Sequence, residues 1–140
     1  MADQVYTVEK YYDGPVSGTA DFSGRPHIYR RLFDDAEDEY GSEFDLTPID
    51  QSLLFLILEC WAIWRHWQNR FILLEVSVDS HPGHGGRDAD YDQLQSLIKA
   101  RMDEITDKPV RGIGAFRSPV SAQSPIGARI LEVKWREAVA

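Results

Sequence analysis

The densest run of apolar positions lies within Thr47 to Trp67, TPIDQSLLFLILECWAIWRHW. From Leu53 to Trp64 only Glu59 interrupts it. The pattern predicts one helix over 47–69. Thr47 would be its N-cap, Pro48 its first residue, and Asp50 would complement the positive end of the dipole. A start with Asp50 as the cap is the alternative. Ser52, Glu59 and His66 recur every seven residues, drift only about 20° per step, and mark one narrow polar stripe. A helix apolar on nearly every other face needs cover on nearly all sides. The rest of the chain is therefore expected to wrap around it.

Residues 4–46 read as β-structure. Val5-Tyr6-Thr7-Val8 is β-prone, and Asp13-Gly14-Pro15 and Ser17-Gly18 are turn material. Thr19–Phe22 and His27–Phe33 flank Ser23-Gly24-Arg25-Pro26, a hairpin signal. In the second arm Ile28, Arg30 and Leu32 share one face and Tyr29, Arg31 and Phe33 the other, so neither face is cleanly apolar. Asp34 to Glu39 is an acidic block, read as a solvated loop because like charges repel. Glu43-Phe44-Asp45-Leu46 alternates like a strand with Phe44 and Leu46 inward.

After the helix, Leu74, Val76 and Val78 alternate with polar residues, which suggests a strand over 71–78. SHPGHGGR, residues 80–87, is a loop. Tyr91, Leu94, Leu97, Ile98, Arg101 and Ile105 recur at helical spacing, predicting an amphipathic helix over 88–105 with Asp88 or Asp90 as cap. Lys108-Pro109 breaks it. Val110–Phe116 and Ala128–Trp135 then read as strands, a C-terminal β-hairpin over 109–136. Leu131, Val133 and Trp135 face inward, and a mobile Ser- and Pro-rich link covers 117–127. Gly112-Ile113-Gly114 marks a bulge or a close packing contact rather than a phosphate site. Strand runs around two helices imply an α+β class. The expected form is a curved, mostly antiparallel sheet packed around the long apolar helix, in a single globular domain over 1–140.

Composition narrows the function. A formal charge of −8 argues against nucleic acid, which needs a basic face, and against an anionic membrane surface. It leaves a basic protein partner, a cationic ligand or plain solubility as readings, and solubility is the commonest. The lone Cys60 reads as a small buried hydrophobe and fits a reducing compartment. No signal-peptide core or membrane-length apolar run is visible, which places the chain in the cytoplasm. No dinucleotide, Walker, nucleophile-elbow or zinc-protease motif occurs, so no cofactor is implied and an enzyme is disfavoured.

Five groups can carry chemistry or line a ligand site, each with a plainer alternative. Asp79, His81 and His84 have donor types and spacing suited to a divalent metal, but four ligands are usual and a Gly-rich surface loop is the favoured reading. His27 and Tyr29 sit on a strand with Tyr11, Tyr12 and Asp13 upstream and suit ligand binding; a histidine bonded within the sheet is favoured. Glu59 and His66 lie on the helix; Glu59 is either on the exposed stripe or buried and paired with an arginine from the sheet such as Arg30 or Arg31, and a structural role is favoured. The acidic run 34–39 lacks calcium-loop spacing and suits docking of a basic protein. Trp61, Trp64 and Trp67 form an aromatic stripe, which is core more often than pocket.

Tyr11-Tyr12-Asp13-Gly14-Pro15, Gly24-Arg25-Pro26-His27-Ile28-Tyr29, Asp38-Glu39-Tyr40 and Leu46-Thr47-Pro48-Ile49-Asp50 together resemble a group of small bacterial proteins of unknown function. The resemblance covers roughly residues 9–70 and implies a bacterial cytoplasmic protein. It carries over no functional residue.

Overall fold

A computed structural model describes residues 2–118 and 131–138. Six strands close into an antiparallel barrel in sequence order. They are β1 (Asp3–Tyr11), β2 (Pro15–Phe22), β3 (Arg25–Asp34), β4 (Glu39–Pro48), β5 (Val110–Arg117) and β6 (Glu132–Glu137). Between β4 and β5 come α1 (Gln51–Ile72), two single 3-10 turns at Val78–Ser80 and Pro82–His84, and α2 (Ala89–Asp103). The chain divides into two compact units. One is the barrel; the other is essentially residues 51–105.

The expected sheet wrapped around a long helix is therefore wrong. The sheet closes on itself instead. Closure pairs the strand edges that an open sheet would expose, and the interior is filled by the barrel's own side chains. Ala20, Tyr29, Phe44, Leu46 and Val133 are buried there, with Val5, Phe22, Phe116 and Trp135 packed against them. The rings meet at angles rather than face to face. Tyr29–Phe116 centroids are 5.2 Å apart with the rings tilted at 49°, and Phe44–Trp135 centroids are 5.3 Å apart with the rings nearly perpendicular. The β1–β6 seam is short, with Asp3 opposite Val133 and Gln4 opposite Glu132. The indole N–H of Trp135, on β6, also reaches past β1 to donate to the Asp21 carbonyl on β2 at 3.0 Å.

Two glycines make room for these rings. The Tyr29 hydroxyl donates to the Thr7 carbonyl at 2.9 Å. A Cβ on Gly18 would collide with both that carbonyl and the hydroxyl. Gly114 lies directly opposite Trp135, and a Cβ there would enter the indole ring. Gly112-Ile113-Gly114 thus marks close packing.

The β2–β3 hairpin turns on Ser23 and Gly24, both at positive φ (52° and 78°), as a two-residue turn of matching twist requires. Thr47 and Pro48 belong to β4, paired with Ile28 and His27. The helix therefore starts after Asp50, the alternative start. The ladder with β3 outcompetes capping by Thr47.

In the helical unit, α2 lies antiparallel along α1. Gln95 Nε2 donates to Cys60 Sγ and Arg101 Nη1 to Ser52 Oγ, both at 3.0 Å. Asp88 is the N-cap, accepting from the Tyr91 amide at 2.9 Å. Leu53, Leu54, Ile57 and Cys60 form the buried stripe of α1, while Ser52, Phe55, Glu59, Ala62 and His66 are exposed. The helix is thus amphipathic rather than apolar all round. Residues 71–78 are not a strand. The helix runs on to Ile72 and closes with Leu74 N–H on the Phe71 carbonyl and Glu75 N–H on the Arg70 carbonyl. That 6→1 and 5→2 pair is the Schellman ending, and it outcompetes the alternating pattern. The proposed mobile link at 117–127 lies outside the described residues from 119 onward, as do residues 128–130 of the last expected strand.

Leu74 holds the left-handed position (φ 62°) and is 89% exposed. A left-handed non-glycine residue costs about 1–2 kcal/mol, partly offset by the chain entropy that glycine adds to the unfolded state. Leu74→Gly should therefore raise stability by about 0.5–1 kcal/mol in thermal or denaturant unfolding; a loss would refute the strain. Gly18→Ala should cost ~3 kcal/mol, at the upper end for overpacked sites.

Candidate functional site

The inward face of β3 carries His27, Tyr29 and Arg31, opposite Ala20, Gly18 and, for Arg31, Phe44 on β4. These three residues sample the barrel from one end to the other. His27 is buried (5% exposed). Its Nδ1–H donates to the Arg25 carbonyl at 2.9 Å, since a carbonyl can only accept. The Phe22 ring stands edge-on at 5.3 Å. Burial holds the imidazole below its ordinary value. Tyr29 is fully buried, and burial, then the charge of Glu9, pushes its phenol well up. Both residues serve the barrel interior.

Tyr11 ends β1, and Tyr12 and Asp13 lie in the β1–β2 turn, at the opposite barrel end from His27 and roughly 13 Å along the strand, at 3.3 Å per residue. There Tyr12 and Asp13 meet Arg31. Strands β1 and β3 run the same way in the meander, so the β1–β2 and β3–β4 turns share this end. Between them lies a recess of about 650 Å³, lined by Tyr12, Asp13, Arg31, Phe33 and Tyr40, with Asp38 and Glu39 at the acidic turn. The size falls within the usual range of ligand pockets, about 300–1,000 Å³.

A bulge shapes the recess. Arg31 pairs with Phe44 but Phe33 pairs with Tyr40, so two residues of β3 span four of β4. Within the extra stretch, the Gly41 carbonyl accepts from Arg31 Nε at 2.6 Å. Arg31 Nη1 reaches the Asp13 carbonyl at 3.5 Å. The guanidinium lies 6.0 Å from the ring centroids of both Tyr40 and Phe44, within range of cation–π attraction. Phe33 stands edge-on to Tyr40 at 5.2 Å, and Tyr12 tilts toward it at 6.2 Å. One guanidinium faces three carboxylates, Asp13, Asp38 and Glu39, yet makes no ion pair with them among the described residues. Asp34 Oδ1 accepts from the Ala36 and Glu37 amides and orders the acidic turn.

The helical candidates do not converge. Glu59 and His66 are exposed. Arg30 bonds Asp45 at 3.5 Å, and Arg111 joins the same carboxylate at 3.3 Å. In the loop, the Trp64 indole N–H points at His81 Nε2 (3.0 Å) and the Gly83 amide at His81 Nδ1 (2.9 Å). His84 lies beside His81, ring centroids 5.6 Å apart. Asp79 contributes its backbone carbonyl to Arg87. Among the described residues no group of three or more metal-ligand side chains converges. The Trp stripe is intermediate in burial, with Trp61 stacked on Trp64 at 5.3 Å and Trp67 on Phe71 at 5.1 Å.

Sequence reasoning passed over Arg31, Phe33 and Tyr40 as site residues. The available signal was an arginine on the inward face of a strand that also carries Tyr29.

No family model, curated protein or solved structure matches the chain. Among the described residues no helix is long and apolar enough to cross a membrane.

Each neutral tautomer of His81 can accept one of its two N–H neighbours, and the protonated ring neither. Burial, then the charge of His84, lowers its pKa from 6.5. A histidine depressed in the folded state contributes stability above its unfolded value. That contribution fades as pH falls through 6.5 toward the folded pKa. Stability should therefore drop on acidification below about pH 6.5. Tryptophan emission should titrate with a midpoint under 6.5, and His81→Phe should remove that transition. A midpoint at or above 6.5 would contradict the geometry.

Proposed function

We propose that the protein is a non-enzymatic interaction module that binds a basic protein partner through the acidic, aromatic mouth of its barrel. One observation carries the reading. The acidic turn and the exposed aromatics of the barrel share a single recess. Of these, Tyr12 is 72% exposed and Phe33 47%. Exposed tyrosines and phenylalanines are costly in water and are the residue types that anchor interfaces. The carboxylates of residues 34–39 surround them with negative potential, which speeds encounter with a cationic surface. The net charge of −8 acts in the same direction.

The test is capture of partners on the immobilised protein at low and at moderate salt. A basic protein should be retained at low salt and released as screening rises. Combining Asp35→Asn, Glu37→Gln and Asp38→Asn should slow association about tenfold or more without unfolding the barrel. These side chains are exposed, and asparagine tolerates the positive φ of residue 38. Retention that ignores both salt and the triple variant would overturn the reading.

A further inference from the structure

We infer that the recess receives the C-terminal residue of a basic chain, its α-carboxylate on Arg31 and its side-chain cation among Tyr12, Tyr40, Asp38 and Glu39. This rests on the reading of the mouth as the docking surface for a basic partner, and it specifies which part of that partner enters.

Three features of the recess define the ligand. The first is the state of Arg31. A guanidinium has five N–H groups. One meets the Gly41 carbonyl and one reaches the Asp13 carbonyl. The other three meet no acceptor among the described residues. The head is held by backbone carbonyls and aromatic rings rather than by a carboxylate, so its fork remains open to one. Carboxylate is the ligand group that matches this fork bidentately.

The second is the order of charge with depth. Arg31 is half-buried and pairs with the buried Phe44, while Asp13, Asp38 and Glu39 are exposed on the two turns. A bare cation would meet Arg31 at the bottom. A bare anion would have to pass three carboxylates. A group carrying an anion at its inner end and a cation nearer the rim satisfies both. The aromatic faces at the rim suit a guanidinium or ammonium.

The third is that the recess is blind. Tyr29, Phe44, Phe116 and Trp135 fill the barrel beneath it, so a chain cannot thread through. A chain end can enter, and a terminal arginine or lysine carries both charges on one residue.

Calorimetric titration of the intact protein with three probes tests this. They are a short peptide ending in arginine with a free carboxylate, the same peptide as its C-terminal amide, and free arginine. The acid peptide should bind. Amidation should weaken it about tenfold or more, because a charge-assisted pair is removed. Asp38→Asn with Glu39→Gln should weaken the acid peptide by about tenfold. Arg31→Lys should shrink the difference between acid and amide, and the two peptides on the unaltered protein keep the test valid if that variant folds poorly. Equal affinity for acid and amide overturns the inference while leaving the docking reading intact. So does failure of both peptides when polylysine still binds in a manner abolished by the acidic-turn variant. If polylysine also fails, both readings fall. Free arginine binding as tightly as the peptide would assign the recess to a free amino acid and overturn the chain-end assignment.

Discussion

A closed barrel of six strands has an interior that must be filled by side chains, and in this protein Tyr29 is one of the buried rings that fill it. Its ring touches Phe44, Phe116 and Trp135, while its hydroxyl must find an acceptor in a dry interior. An unpaired buried hydroxyl would cost about 1–3 kcal/mol, of the order of what burying a large side chain contributes, about 1.5–3 kcal/mol. The Thr7 carbonyl supplies the acceptor, and the missing side chain of Gly18 leaves room for it. Gly114 does the same for Trp135. Two aromatic rings and two glycines on four different strands thus tie the barrel together across strands that are not neighbours.

The mouth follows from that filling. With the interior occupied, the next inward position on β3, Arg31, is carried toward the rim, where backbone carbonyls can hold its charge. The bulge opposite it in β4 brings the Gly41 carbonyl into place and offsets Phe33 against Tyr40. The recess is therefore a product of register as much as of side-chain type. Its electrostatics run from one positive charge inside to several negative charges outside, a gradient that a uniformly acidic surface would lack.

Much of the strand content was legible in the chain. The turn residues at Ser23-Gly24, the alternation of Phe44 with Leu46, and the inward set Val133 and Trp135 all appear where local pattern placed them. The helix at 51–72 was legible too, but its role was not. Its apolar run suggested a spine, because a one-dimensional pattern cannot show that the sheet has its own aromatic filling. Residues 71–78 read as a strand for a similar reason: alternation is a weak signal beside the hydrogen bonds that finish a long helix. Thr47-Pro48 read as a helix start, yet the ladder to Ile28 and His27 held them in β4. Of the recess, Tyr12, Asp13 and the acidic run drew notice, while Arg31 was weighed only as a partner for Glu59 and Tyr40 only within a resemblance, since only closure and the bulge bring those two turns together.

The sequence by itself determined the local elements, the acidic balance and the absence of familiar catalytic motifs, because these depend on residue type and short-range spacing. The tertiary structure alone decided that the sheet closes and that on β3 it is Arg31, rather than the buried His27, that lines the recess. Closure depends on the pairing of Asp3 and Gln4 with Val133 and Glu132, residues more than a hundred positions apart. The recess depends on a two-residue offset between neighbouring strands. Neither leaves a periodic trace in the chain, because both are set by which backbone groups find partners once the interior has been packed.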